Sequence, residues 1–305
     1  MKSLISEQAH KSLFQLADLA PRSYASSIDD LSSTLVSQCR SWTKPDGNHT
    51  PAKIAERFFD KRFSRVSPDD RVILKTALTA KLAMKPPSLV EKEDFPDSIL
   101  AYYPAAFDRL SAFLRKTADE PFDPSRNPLN RVGFVLGINI PCGAQLLDLR
   151  SSIPLSSAVL SVPRERSLSS LIRYFRCRGT GTWFRGHTDT EYLDEFNEEG
   201  WDRFYLRIAE LLLRRKHVRG LVGTSWFYDP QIVDISPRLA YLQQRQLERG
   251  AYLMRHRDLE TDIEFATAKS KTRRRLYQEG KYTPVSYSLI WGRNELLSWA
   301  DSTRR

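Results

Sequence analysis

"NEEGWDRFYLRIAELLLRRK", residues 197 to 216, runs directly into "HVRGLVGTSWFYDP", residues 217 to 230, and this junction decides the fold class of the second half of the chain. In the first run Phe204, Ile208, Leu211 and Leu212 recur at helical spacing, so their side chains form one apolar stripe. Asn197 stands where a helix needs an acceptor for its first free N–H groups, and Arg214-Arg215-Lys216 stand where the helix dipole is negative. The second run is apolar and aromatic and is stopped by Asp229-Pro230, which predicts a strand. A helix feeding a strand in this way requires a mixed α/β layer.

The same alternation continues outward. Ser236-Pro237 opens a predicted helix, "SPRLAYLQQRQLERG", that Gly250 closes, and strand-like "AYLMRH" follows. "SKTRRRLYQEG", 270 to 280, is helical, and "YTPVSYSLIW" alternates as a strand does. Upstream, Val132 to Ile140 is a continuous apolar run before Pro141-Cys142-Gly143. Ala144 to Leu149 and Ile153 to Val162 have strand length, and Arg164 to Arg176 is a predicted helix with Leu168, Leu171, Ile172 and Phe175 on one face.

The first 118 residues have a different texture. Leu13, Leu16, Ala17 and Ala20, then Ile28, Leu31, Leu35 and Val36, then Val72, Leu74, Leu78 and Leu82 keep helical spacing. Ser67-Pro68-Asp69-Asp70 opens a helix, Pro45-Asp46-Gly47 and Pro86-Pro87 end helices, and Trp42, Phe58, Phe59 and Met84 belong to a core. "DEPFDPSRNPLNR", 119 to 131, has the prolines and asparagines of an exposed connection. The expected organisation is a helical region over 1–118, a connecting loop over 119–131 and an α/β domain over 132–305.

Forty-seven Lys and Arg against thirty-seven Asp and Glu leave a net charge of +10, which favours anionic partners: nucleic acid, a phosphate-bearing small molecule or an acidic lipid surface. Cys39, Cys142 and Cys177 are odd in number and far apart, which encodes neither a disulfide framework nor a zinc motif. Cys142 is expected to be a buried small residue. The opening residues lack the apolar core of a signal peptide, and Val132 to Leu147 is too short for a membrane span. A soluble, cytoplasmic protein with no membrane span and no metal is the expectation.

"SKTRRRLYQEGKYTP", 270 to 284, resembles the last helix and strand of the GNAT acyltransferase superfamily, whose common ending is a small polar residue followed by Leu-Tyr-x-x-x-Gly-Phe. The match is Ser270, Leu276, Tyr277, Gly280 and Tyr282, with one residue fewer between Tyr277 and the glycine. The family's pyrophosphate signature is matched in letters by "RCRGTG", Arg176 to Gly181, although a further stretch separates these residues from the strong helix. The resemblance implies a GNAT-like mixed sheet with helices, acyl-coenzyme A as donor, and Arg176, Gly179, Gly181, Ser270, Arg273 and Arg274 around the cofactor, with Lys269, Lys271 and Arg275 nearby. It makes Tyr277 the acid that protonates the departing thiolate. His187, Glu195 and Glu198 are the candidate bases, with nothing in the sequence to rank them. The acyl group then passes from a coenzyme A or carrier-protein thioester to an amine.

Three consecutive aromatics in "GTSWFYDP" cannot share one face of a strand. Either the strand is buried on both sides, or Trp226 and Tyr228 line an acyl or amine pocket beside Ser225. Ser225 lacks the flanking glycine of a nucleophile elbow. Two other functions fit some residues. His187-Thr188-Asp189 with His256 has the order of an Fe(II)/2-oxoglutarate triad. The basic runs Arg214–Lys216 and Lys269–Arg275, interleaved with Trp183, Phe184, Trp226, Phe227 and Tyr228, could bind nucleic acid through phosphates and stacking.

Overall fold

The computed structural model describes residues 4–38, 51–84, 95–120, 126–153, 168–188, 190–256 and 260–304, together with Leu155, Ala158 and Val159. Cys39, Trp42, Pro45-Asp46-Gly47, Pro86-Pro87, Asp189 and most of Ile153 to Val162 lie outside the described residues. The chain forms two compact units, Met1–Cys142 and Gly143–Arg305.

The first unit is helix-rich, as its spacing predicts. Its helices are α1 (Glu7–Ala17), α2 (Arg22–Gln38), α3 (Pro51–Arg62), α4 (Pro68–Met84), α5 (Asp97–Leu100), α6 (Tyr103–Asp119) and α7 (Val132–Val135). The central one is α4, which packs on α1, α2, α6 and α7. It is buried on several sides because Ala77, Ala80 and Ala83 alternate with Leu74, Leu78 and Leu82, and small side chains let neighbouring helices approach from more than one direction. Pro68 begins it, and the Ser67 hydroxyl accepts from the Asp70 N–H at 3.2 Å while donating to the Asp70 carboxylate at 2.8 Å, a cap read correctly from sequence.

Part of the predicted connection is not exposed. Asn127 caps a 3-10 turn, Pro128–Arg131, in which Pro128 and Leu129 are buried against α4, and the Asn127 side chain donates to Glu56 at 3.0 Å. The apolar run from Val132 begins as α7 and ends in a short strand, β1 (Asn139–Pro141).

The second unit is mixed α/β. Its strands are β2 (Leu146–Ser151), β3 (Trp183–His187), β4 (Gly220–Ser225), β5 (Tyr252–Arg255) and β6 (Tyr287–Gly292), and within the unit they lie in the order β2-β3-β4-β6-β5. Only β3 and β4 are paired in parallel among the described registers of the unit; β2–β3, β4–β6 and β5–β6 are antiparallel. The chain crosses between the parallel strands through α9 (Glu198–Arg214), the helix of the opening quotation, with Asn197 accepting from Gly200 N–H at 2.9 Å.

Side-chain alternation divides the sheet into two covered faces. One carries Trp291, on which Tyr205 of α9 and Trp299 of α14 (Arg293–Thr303) pack with ring centroids 5.1 and 5.4 Å away. The other carries Trp183, Val222, Tyr252, Met254 and Ile290, and is covered by Ile153, Ala158 and Tyr174. Tyr174 belongs to α8 (Ser169–Arg176), whose core side is Leu171, Tyr174 and Cys177. Leu168, Ile172 and Phe175 therefore do not share a buried face with Leu171; they are exposed.

β4 stops at Ser225, and Trp226–Tyr228 form a 3-10 turn. This change of backbone resolves the steric problem of three adjacent aromatics: Phe227 and Tyr228 turn inward while Trp226 stays half-buried. The predicted helix after Ser236 is broken, a 3-10 turn over Pro237–Leu242 followed by α11 (Gln244–Glu248); α10 (Ile232–Ile235) precedes it. Beyond β5, α12 (Glu260–Ala268) and α13 (Lys271–Gln278) pack on each other.

Candidate functional site

The two parallel strands end on the same side of the sheet, and in open α/β sheets such carboxyl ends are where ligands bind, because the crossing connections diverge there. On the α8-covered face the residues change from apolar to polar towards this end. β3 runs Trp183, Arg185, His187; β4 runs Val222, Thr224; β6, in the opposite direction, runs Ile290, Ser288. The register sets Asp148 opposite Arg185 and Leu146 opposite His187.

Arg185 is the centre of this polar floor. Its Nε donates to Ser151 Oγ at 2.8 Å, one terminal nitrogen to Thr224 Oγ1 at 3.3 Å and the other to the Ser152 carbonyl at 3.0 Å. Thr224 Oγ1 and Ser288 Oγ share a hydrogen bond of 2.8 Å. These bonds hold the guanidinium in one place and leave N–H groups over, since it has five. Burial lowers the Arg185 pKa, and the Asp148 charge opposes this; a guanidinium stays cationic at neutral pH.

His187 ends β3 with its side chain open to solvent. Its pKa nonetheless lies below the usual histidine value: desolvation by surrounding protein is the largest cause, Asp148 opposes it, and Arg185 adds to it. The imidazole is therefore neutral at neutral pH and able to accept a proton. The end of β3 is fixed from the opposite face, where Gln145 donates to Thr188 Oγ1 at 3.1 Å and lies so close to Gly186 that a Cβ there would sit 1.9 Å from Gln145 Oε1. A fixed cation beside a neutral, accessible imidazole can orient an anionic or polarised carbonyl group and remove a proton from an attacking nucleophile.

The other sequence-predicted residues are distributed around the unit. Arg176, Gly179 and Gly181 lie at the C-terminal end of α8 and in the turn entering β3, where Gly179 N–H donates to the Tyr174 carbonyl and Gly181 N–H to that of Arg178. These amides close turns at a negative helix end. Ser270 caps α13 by accepting from Arg273 N–H at 3.3 Å. Arg273 points inward, only 4% exposed, donating to the Ala266 carbonyl at 2.5 Å and Ser236 Oγ at 2.9 Å. Arg274 donates to the Ala268 carbonyl at 2.7 Å, closing the end of α12.

Tyr277 is 38% exposed near the end of α13. Glu198 is exposed on the first turn of α9, paired with Arg245 at 2.7 Å, and Glu195 pairs with the buried Arg207 at 3.6 Å. Both carboxylates thus have cationic partners, which sets His187 apart from them as a base. Ser225 is half-buried at the end of β4, Trp226 lies beneath Arg273, and the Tyr228 hydroxyl is buried over Gly223 with its pKa raised by desolvation.

Of the aromatics considered for base stacking, Trp183, Phe184, Phe227 and Tyr228 are buried, which removes them from a nucleic-acid surface. Of the iron triad, Asp189 is outside the described residues; among the described residues no group of three or more His, Cys, Asp or Glu is placed to hold a metal ion. Cys142 is fully buried. No helix among the described residues is long and apolar enough to cross a membrane.

Arg185, Asp148, Thr224 and Ser288 were not singled out from sequence. The signal available was "WFRGH", 183 to 187, in which every second side chain is polar from Arg185 onward within an otherwise aromatic run. No family model matches the chain, and no curated protein and no solved structure matches it.

Proposed function

We propose that the second unit is a GNAT-like acyltransferase that moves an acyl group from a coenzyme A or carrier-protein thioester to an amine at the carboxyl ends of β3 and β4. One observation carries it: the single parallel pair among the described registers ends in an anchored cation, Arg185, beside a neutral, solvent-open imidazole, His187. His187 takes a proton from the attacking amine. The C–N bond forms, the carbonyl oxygen develops negative charge near Arg185, and the C–S bond breaks. The resemblance assigns the thiolate's proton to Tyr277, which is exposed where Tyr228 and Tyr282 are buried. In this scheme the donor phosphates are met by the chain's surplus of cations, not by the amides of Gly179 and Gly181.

The test is a thermal-shift titration with coenzyme A, acetyl- and long-chain acyl-coenzyme A, with 2-oxoglutarate plus iron and a short single-stranded oligonucleotide as comparison ligands. A saturable rise in Tm with a coenzyme A species, kept in Arg185→Gln while acyl transfer falls, is the expected result. A shift produced by the oligonucleotide or by 2-oxoglutarate with iron alone overturns the proposal, as does acyl transfer that Arg185→Gln leaves intact.

A further inference from the structure

We propose that the outer face of α8 docks the protein on an anionic lipid surface. Leu168, Ile172 and Phe175 are 60%, 51% and 61% exposed, and their spacing of four and three residues aligns them as one outward stripe. The helix is held from behind by Leu171, Tyr174 and Cys177, so the stripe is presented on a fixed support. Leu155 and Val159, also exposed, flank Ala158, which is buried in the same core cluster as Tyr174.

From Leu168 to Thr188 the described chain carries Arg173, Arg176, Arg178 and Arg185 and no Asp or Glu; Arg185 belongs to the sheet floor, which leaves the first three beside the stripe. Arg176 and Arg178 are exposed, and Arg173 lies 5.4 Å from the Tyr252 ring at the flank of the helix. The small apolar stripe is sufficient for insertion at the headgroup boundary, where arginines on its flanks meet anionic headgroups and need no acidic counterpart in the protein.

The experiment is co-sedimentation of the full chain with vesicles of phosphatidylcholine alone and with about one third phosphatidylglycerol. Binding about tenfold tighter to the anionic vesicles, weakened by salt, is the expected result. Ile172→Ser with Phe175→Ser should abolish it with only a small loss of Tm, because both side chains are more than half exposed and the one ring contact given up is that of Phe175 with Tyr174. In Phe175→Trp, emission should shift to the blue and be quenched by brominated lipid. Equal binding to both vesicle types, no binding, or retention by the double-serine variant overturns the proposal. So does a dimer in sedimentation velocity that the double-serine variant dissociates, since the stripe then serves a second copy of the chain. No readout depends on catalysis, so failure here leaves the acyltransferase proposal separately testable.

Discussion

The guanidinium carbon of Arg273 lies 4.4 Å from the centre of the Trp226 ring. A cation read from sequence as a cofactor ligand is thus stacked on an aromatic read as a pocket wall, and both serve to join α13 to the turn after β4. The Arg273 pKa is lowered, chiefly by burial.

Arg273→Ala should therefore destabilise the protein by about 3 kcal/mol, through loss of two hydrogen bonds from a charged donor and the stacking contact. Arg274→Ala, which removes an exposed cap of α12, should cost about 1 kcal/mol or less. Urea unfolding of the two variants measures the difference. Equal costs would mean that Arg273 is not seated as described.

His187 must be neutral to take a proton, so acyl transfer should rise with pH through a His187 pKa below the ordinary histidine value and then level off. Asp148 raises that pKa, so Asp148→Asn should move the rise to still lower pH. Arg185 lowers it, so Arg185→Gln should move the rise upward. NMR titration of the imidazole follows the same two shifts without an activity assay. Movement of both variants in one direction contradicts the assigned neighbours.

Tyr277→Phe should lower turnover by about tenfold or more while leaving donor affinity nearly unchanged, if the phenol supplies the thiolate's proton. Single-turnover kinetics beside a binding titration separates the two quantities. A variant with unchanged turnover would remove Tyr277 from the reaction.

Two glycines with positive φ should respond differently to alanine. At Gly220, φ +151°, a Cβ would lie 2.2 Å from the Trp291 carbonyl oxygen and 2.8 Å from the Trp183 ring, so the sheet must shift and about 3–5 kcal/mol should be lost. At Gly280, φ +67°, nothing lies within 4 Å, and only backbone strain of about 1 kcal/mol remains. Thermal denaturation of Gly220→Ala and Gly280→Ala should reproduce this order.

The Glu56 carboxylate is held below its ordinary pKa: burial raises it, but hydrogen bonds from Asn127 and Lys75, with the charges of Lys75 and Arg71, outweigh that. A depressed pKa contributes stability above the unfolded-state value that is lost as pH falls through the folded one. Stability should therefore decline as pH falls below the ordinary glutamate range and through the depressed Glu56 pKa, and Glu56→Gln should flatten the decline. A variant with an unaltered slope would show that the acid response arises elsewhere.

The ending Leu276-Tyr277-x-x-Gly280 has a structural explanation as well as a family one. Gly280 takes a left-handed conformation, its N–H donates to the Tyr277 carbonyl at 3.0 Å, and Lys281 N–H reaches back to Leu276 at 2.9 Å, which closes the helix. Such a motif is legible in sequence because helix closure depends on residues within one turn. The same holds for Asn197 before α9 and Ser67 before α4, whose caps are local chemistry.

The amino-acid sequence by itself determined the helix-rich first unit, the mixed α/β second unit, the core of α9 and the surplus of positive charge, because periodicity, capping and composition act over a few neighbouring residues. Tertiary structure alone decided that Arg273 turns inward onto Trp226, that β4 gives way to a 3-10 turn, and that α8 shows an apolar stripe outward. It also brought Arg185 to Ser151, Thr224 and the Ser152 carbonyl, residues up to 39 positions apart in the chain. Pairing register and the competition for space on each sheet face set these contacts, and neither is encoded in any short window of residues.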